Sequence, residues 1–271
     1  MKKGIRFVFL AAVLFAAGVL TAQEVNYNTA AAWNNNAAVT EADGALLVKT
    51  IRDAKGLKGV LMVGPKFTID TTKKYTLKLS AKAVNAQGDD KSYVFAGFNV
   101  FDKNGRSLGS HHVNVQPGTL TEIAADAEKG AKVITVKDGS KFRKDNKVLV
   151  RDAKEDLSDL PNNKIIGDVK GIEQKGDVWE ITLARPINAP LAAGTVVREH
   201  SRAGYIYTAG AKRVGADWSV LQGKITGVKP GAWVGSAWPT GAVTAQVLIL
   251  VNWATPKDLD TEFKDITLTV E

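Results

Sequence analysis

Apolar and polar residues alternate along most of the chain with a period of two. Residues 75–83 read Tyr-Thr-Leu-Lys-Leu-Ser-Ala-Lys-Ala, which is the pattern of a β-strand with one buried face. Residues 93–101 continue it, and residues 102–105 (Asp-Lys-Asn-Gly) end that strand with a turn. Residues 247–253 are apolar on both faces, as in a central strand, and residues 263–270 form the last alternating segment. Short strands separated by Gly, Asn and Asp predict an all-β sandwich or barrel.

The middle of the chain carries an internal repeat. Residues 134–136 (Ile-Thr-Val) recur as residues 181–183 (Ile-Thr-Leu), and residues 148–151 (Val-Leu-Val-Arg) recur as residues 195–198 (Thr-Val-Val-Arg). Both pairs are displaced by 47 positions. The equal displacement predicts two similar β-units that close against each other as a small barrel. Chance similarity between two β-rich segments is the alternative.

The N-terminus has the order of a secretory signal. Lys2, Lys3 and Arg6 precede an uncharged apolar run at 7–20, and small residues end it at Ala22. This run is shorter than the roughly 20 residues that a membrane-spanning helix needs. We therefore predict a signal peptide at 1–22 and a secreted, periplasmic or cell-surface protein with no membrane span after processing. An uncleaved N-terminal anchor is the alternative.

Composition narrows the classes of function. The chain has no cysteine, which excludes thiol chemistry and disulfides, and its formal net charge of +8 is scattered among acids. Because no basic stripe is interleaved with aromatic residues, nucleic acid is not an expected partner. No metalloprotease motif or nucleophile elbow occurs. The sequence predicts no catalytic residue and a protein that is not an enzyme. A lyase or glycosidase with paired carboxylates is the alternative.

Four segments resemble a known fold. Residues 67–82, 97–108, 217–225 and 262–268 are similar, in this order, to strands of galactose-binding-like jelly rolls, the fold of many carbohydrate-binding modules. The resemblance implies an all-β protein, a jelly-roll β-sandwich interrupted by a small β-barrel or β-clip-like insertion. The domains expected from it, after the signal peptide at 1–22, are the sandwich at 23–118 and 201–271 and the inserted small β-domain at 119–200.

The same resemblance implies a structural calcium ion as the cofactor. Asp265 matches the acidic position in the terminal strand of such modules, with Glu41 or Asp43 as partners from an early strand. Asp260 and Glu262 share one face if their segment is extended, and carboxylate oxygens suit Ca²⁺. An ordinary acidic loop, neutralised by nearby lysines, is the alternative.

Three tryptophans are the candidate ligand-binding residues. Trp233 and Trp238 fall in a segment punctuated by Gly and Pro at 230–241, which is typical of a loop, and Trp33 precedes three asparagines. Indole rings stack on the apolar faces of sugars. The alternative is that these rings pack over the sandwich, whereas Trp179 and Trp253, in predicted strands, are expected in the core.

Three histidines flank the predicted insertion. His111 and His112 precede it and His200 ends it. If these ends meet in space, the three side chains are either a metal or pH-sensing cluster or ordinary junction residues. If 111 and 112 lie in a strand, their side chains face opposite sides.

These features favour a secreted, non-catalytic carbohydrate-binding protein with a glycan or polysaccharide as partner. A structural or adhesive component of the cell surface or extracellular matrix is the alternative. The oligomeric state is left open.

Overall fold

The structure is a computed structural model that describes residues 22–34, 36–53, 56–202, 204–231, 235–253 and 258–271. No helix in these ranges is long and apolar enough to cross a membrane. Apart from a 3-10 turn at Ala30–Trp33 and a short helix α1 at Ser110–Val113, the regular structure is β. The strands are β1 (Gln23–Asn26), β2 (Val39–Ala42), β3 (Ala45–Val48), β4 (Ile51–Asp53), β5 (Gly56–Lys58), β6 (Val60–Thr68), β7 (Lys74–Ala83), β8 (Ser92–Phe101), β9 (Thr121–Glu122), β10 (Val133–Val136), β11 (Lys147–Arg151), β12 (Ile165–Lys175), β13 (Val178–Leu183), β14 (Val196–Ser201), β15 (Ile206–Val214), β16 (Ser219–Thr226), β17 (Val228–Lys229), β18 (Trp238–Pro239), β19 (Thr244–Val251) and β20 (Thr261–Val270).

Two antiparallel sheets form a β-sandwich. One runs β16-β7-β20-β3-β2, with β1 also paired to β20, and the other runs β15-β8-β19-β6. Their inner faces share one apolar core, which includes Leu77, Leu79, Phe98, Ile249 and Phe263. The all-β sandwich expected from the period-two pattern is therefore confirmed. Its assignment to the galactose-binding-like group stays a prediction.

A second sheet system lies between β8 and β15 in the sequence. Its order is β10-β13-β12-β11-β14-β9, and a bridge from Ile123 to Val136 joins the β9 end to β10. The backbone N–H of Ala124 donates to Thr135 O at 2.8 Å across this seam. The sheet thus closes into a small barrel around its own apolar cluster, which includes Leu149, Ile181 and Val197.

The repeated segments pair with each other inside this barrel. β10 and β13 are antiparallel neighbours with Ile134 opposite Ile181. β11 and β14 are antiparallel neighbours with Val150 opposite Arg198. The boundaries of 119–200 as a separately folding unit stay a prediction.

The two ends of the barrel segment lie side by side. Val115 forms a β-bridge with His200, and the N–H of Ser201 donates to Asn114 O at 2.9 Å. The chain therefore enters and leaves the barrel at one place beside the sandwich.

Candidate ligand-binding cleft

The structure buries the two candidate tryptophans that it describes. Trp33 and Trp238 are both 0% exposed. The Trp238 ring lies edge-on to Tyr75 at 5.2 Å between ring centres and 5.1 Å from the Phe98 ring. β17 and β18 pair in parallel, with Val228 opposite Trp238, and this pairing holds Trp238 against the sandwich. Neither ring has a free face, so the structure does not support the interpretation of Trp33 and Trp238 as ligand-binding residues. Trp233 lies outside the described residues.

The five acids of the expected calcium site are not brought together. Four of them bind protein groups of their own: Glu41 accepts from Ala30 N at 2.8 Å, Asp260 accepts from Thr50 N at 2.9 Å, Glu262 pairs with Lys82 at 2.8 Å, and Asp265 accepts from Ser80 Oγ at 3.3 Å. Asp265 lies at a bulge of β20 with φ 53°, and Asp43 lies in a turn with φ 50°. No cluster of acidic and histidine side chains in the described ranges has the geometry of a metal site.

A different aromatic surface covers the outer face of the four-stranded sheet. Along β8, Val94 and Ala96 are fully buried in the core, so the alternation turns Tyr93 and Phe95 outward. Next to β8, Ile206 begins β15 in the core, and Tyr205 and Tyr207 on either side of it face outward. The four outward rings form a row, which we call the aromatic platform. Its successive ring-centre distances are 4.3 Å (Tyr93–Phe95), 4.9 Å (Phe95–Tyr207) and 6.3 Å (Tyr207–Tyr205).

A bulge in β15 positions Tyr207 on this platform. Ile206 is opposite Phe98 and Gly210 is opposite Ala96, so β15 has two extra residues between these pairs. The bulged backbone runs very close to two glycines. A Cβ on Gly97 of β8 would lie 1.8 Å from Ile206 O, and a Cβ on Gly223 of β16 would lie 1.9 Å from Thr208 O. Only glycine fits at these two places, because the obstructing atoms are backbone atoms.

Gly97→Ala tests whether this close contact with the β15 backbone holds the bulge, and with it Tyr207, in place. The new methyl group must displace the bulge of β15, and we expect the free energy of unfolding to fall by about 2 kcal/mol. Chemical denaturation measures this change. Gly167→Ala in β12 is the matched control, because the nearest atom to its Cβ is 3.6 Å away. Equal stability of the two variants would show that the contact at Gly97 does not require glycine.

Trp253 extends the platform at the end of β19. The residue is 49% exposed, and its backbone N–H donates to Tyr93 O at 3.2 Å. The ring lies over Gly59, where a Cβ would be 2.9 Å from Trp253 Cε3. The expectation that Trp253 is a core residue is wrong, because the residue follows the last paired position of its strand and turns outward. Trp179, in β13, is partly buried against the barrel core.

The barrel side supplies polar groups beside these rings. Asn146 and Arg202 line a cleft of about 610 Å³ together with rings of the platform, Trp253 and aliphatic groups. The N–H of Arg202 donates to Asn146 O at 2.7 Å, and the Arg202 guanidinium pairs with Asp168 of β12. The cleft therefore combines flat apolar rings with amide and guanidinium groups.

The hydroxyl of Tyr207 is protonated at neutral pH. Burial raises the pKa of Tyr207 to about 12, and the nearby Tyr205 acts in the same direction. The group therefore both donates and accepts hydrogen bonds over the physiological range.

The three histidines meet at the barrel–sandwich junction. His111 and His112 lie in α1, not in a strand, and their ring centres are 3.8 Å apart. His200 Nδ1 is 2.9 Å from His111 O, and Arg198 Nε donates to His200 Nε2 at 3.1 Å. Burial lowers the pKa of His112 and of His200 to about 4, with a further lowering by His111 and Arg198 respectively. Both rings are therefore neutral at pH 7.

Glu199 is buried on the opposite side of β14. One carboxylate oxygen accepts from Arg143 N at 2.7 Å, and the other, Oε1, has no partner in the described part of the chain. Burial raises the pKa of Glu199 to about 7, against the lowering effect of that hydrogen bond and of the charges of Lys147 and Arg143. The side chain is fully buried and faces the barrel, so it is not part of the cleft.

The comparisons with known proteins add little to this geometry. No family model matches the chain, and no curated protein matches it. One similar solved structure is the crystal structure of endo-1,3-beta-glucanase from Streptomyces sioyaensis. It is 11% identical, with a TM-score of 0.27, and the similarity covers 86% of this chain and 78% of that chain. A match at this level assigns no activity, substrate or site to this chain.

The sequence predicts a protein that is not an enzyme, whereas the matched protein is an endo-1,3-beta-glucanase. That prediction is contradicted and we do not retain it. The fold and the cleft define the class of the chain as an all-β sandwich protein with an aromatic surface on one sheet.

Sequence reasoning missed the platform although its signal is present. Tyr93 and Phe95 alternate with Val94 and Ala96, so the two sets of side chains must lie on opposite faces of one strand. Both sets are apolar, however, and the pattern does not say which face is outside. The bulge that brings Tyr207 beside Phe95 has no sequence signal beyond its glycines.

Proposed function

We propose that the protein binds a glycan or polysaccharide on the aromatic platform, as a secreted, periplasmic or cell-surface carbohydrate-binding protein. The observation that carries this proposal is the row of four rings beside Trp253, Asn146 and Arg202. Sugar rings present apolar C–H faces that stack on flat aromatic side chains, and their hydroxyls pair with amide and guanidinium groups. Sites of this composition are typical of small-molecule recognition. Export rests on the signal-like order of residues 1–22.

The first test measures binding by two platform variants. We expect Trp253→Ala and Tyr207→Ala each to weaken glycan affinity by about 30-fold, because ring anchors contribute on the order of 2 kcal/mol. A glycan array identifies the polysaccharide, and titration followed by tryptophan fluorescence measures the affinity.

Trp218→Ala is the matched control for these variants. Trp218 is also an exposed tryptophan, at 37%, but Lys82 of β7 and Lys264 of β20 lie over its ring at 4.8 and 4.4 Å, on the six-stranded sheet. Its removal should leave glycan affinity unchanged. If no glycan binds, or if Trp218→Ala is as damaging as Trp253→Ala, the proposal fails. The structural or adhesive function would then be favoured, and the exposed Trp253 and Leu61 would be a protein-contact surface.

A further inference from the structure

An arginine lies at each end of the aromatic platform. Among the described residues that line the cleft, Arg202 is the charged one. Arg213 lies beyond the other end of the ring row, where it is opposite Tyr93 across the β15–β8 pair. A guanidinium group is therefore present at each end of the platform.

The two arginines differ in their partners. Arg202 is paired with Asp168, which fixes its position and offsets its charge. Arg213 lies 5.0 Å from the centre of the Tyr93 ring, and it forms no ion pair within the described ranges. A guanidinium stacked on a ring keeps its N–H edge free, and that planar edge matches carboxylate and sulfate groups.

We propose that the glycan bound on the platform is anionic, a polysaccharide whose sugar rings lie on Phe95 and Tyr207 and whose carboxylate or sulfate groups pair with Arg213. This inference rests on the proposed function. Its own support is charge complementarity: no acid is among the described residues that line the cleft, and Arg213 has no ion-pair partner in the described part of the chain. A neutral glycan would leave that cation unused, whereas an acidic unit at the Tyr93 end would pair with it in register with the rings.

The experiment compares matched polysaccharides by isothermal titration calorimetry. Polygalacturonate and its methyl ester differ in the carboxylate, and carrageenan and agarose differ mainly in the sulfate. We expect the anionic member of at least one pair to bind at least tenfold more tightly. Raising NaCl from about 0.1 M to about 1 M shortens the Debye length from about 10 Å to about 3 Å and should reduce that preference.

Substitutions of Arg213 test whether this residue causes the preference for the anionic polymer. Arg213→Gln should weaken binding of the preferred anionic polymer about tenfold, because a hydrogen bond to a charged group is lost, and should leave the neutral polymer unaffected. The affinity of Arg213→Lys for the anionic polymer should lie between those of wild type and Arg213→Gln, since lysine keeps the positive charge but lacks the planar guanidinium group. Arg185→Gln, on an exposed barrel position, is the control that removes the same charge elsewhere.

The possible outcomes separate the two proposals. Equal affinity for neutral and anionic polymers, with no effect of Arg213→Gln, would overturn the anionic ligand and leave glycan binding standing. Tighter binding of single-stranded DNA than of either anionic polysaccharide would overturn it as well. Binding of none of the four polysaccharides, together with an empty glycan array, would overturn the proposed function itself.

Discussion

Trp238→Ala should lower the free energy of unfolding by about 3–5 kcal/mol, the usual loss for a large aromatic side chain removed from a core. The ring is fully buried and contacts Tyr75 and Phe98, so its removal leaves a cavity between the two sheets. Urea denaturation measures the loss. Trp218→Ala, at a surface position, should cost less than about 1 kcal/mol.

The indole N–H groups of Trp33 and Trp238 differ in their hydrogen bonding, which gives a second test of their burial. Trp33 Nε1 donates to Tyr27 O at 3.0 Å, whereas Trp238 Nε1 is buried and has no partner in the described part of the chain. Trp238→Phe therefore removes an unsatisfied donor, whereas Trp33→Phe removes an existing hydrogen bond. We expect Trp33→Phe to be the more damaging of the two. Unchanged stability of Trp238→Ala, with a loss of glycan binding, would return Trp238 to the ligand-binding role.

Glu199→Gln should stabilise the protein by about 3 kcal/mol above pH 7. The pKa of Glu199 is raised from 4.5 to about 7 in the folded chain, so between these values the folded state binds more protons than the unfolded state. The free energy of unfolding contributed by this group therefore falls as the pH rises from 4.5 to 7 and stays low above pH 7. At about 1.4 kcal/mol per pKa unit the loss is about 3 kcal/mol, and a neutral glutamine avoids it.

The histidines oppose this trend at lower pH. The pKa values of His112 and His200 are lowered from 6.5 to about 4, so the unfolded state binds more protons between pH 6.5 and 4. Their contribution is present above pH 6.5 and is lost as the pH falls through 4. Because two histidines oppose one glutamate, wild-type stability should rise slowly from pH 5 and level off near pH 7.

Denaturation curves between pH 5 and 8 test the assignment. Stability of Glu199→Gln should rise more steeply than that of wild type between pH 5 and 7, because the two histidines then act unopposed. Glu128→Gln, at an exposed barrel position, is the control and should keep the wild-type profile. Identical profiles of wild type and Glu199→Gln would show that Glu199 titrates as an exposed carboxyl group.

The sequence predicts the strands better than it predicts the site. The alternating segments at 75–83, 93–101 and 263–270 correspond to β7, β8 and β20, because a half-buried strand must alternate. The repeat also located the strands of the barrel. These features are local, and a period of two residues is enough to show them.

The burial of a tryptophan depends on residues that are distant in the sequence, and the local pattern around Trp238 and Trp253 was a poor guide to it. Trp238 follows a loop-like segment but is held against the sandwich by the parallel pairing of β17 and β18. Trp253 follows an apolar strand but turns outward over Gly59. The partners of the acids are equally distant: Asp260 binds the backbone of Thr50, 210 positions away. Contacts of this kind are decided by topology, which residue types alone do not specify.

The pairing of the repeated segments has a consequence for the origin of the barrel. Because Ile134 is opposite Ile181 and each residue of one unit corresponds to the residue 47 positions later, the two units are related by a local twofold axis between these isoleucines. The second pair of strands obeys the same operation, since Val150 opposite Arg198 is matched by Arg151 opposite Val197. This is the self-complementary contact of an isologous dimer, contained in one chain. A duplication that fused two identical half-barrels would produce this arrangement, and later divergence would leave the faint similarity that the sequence retains.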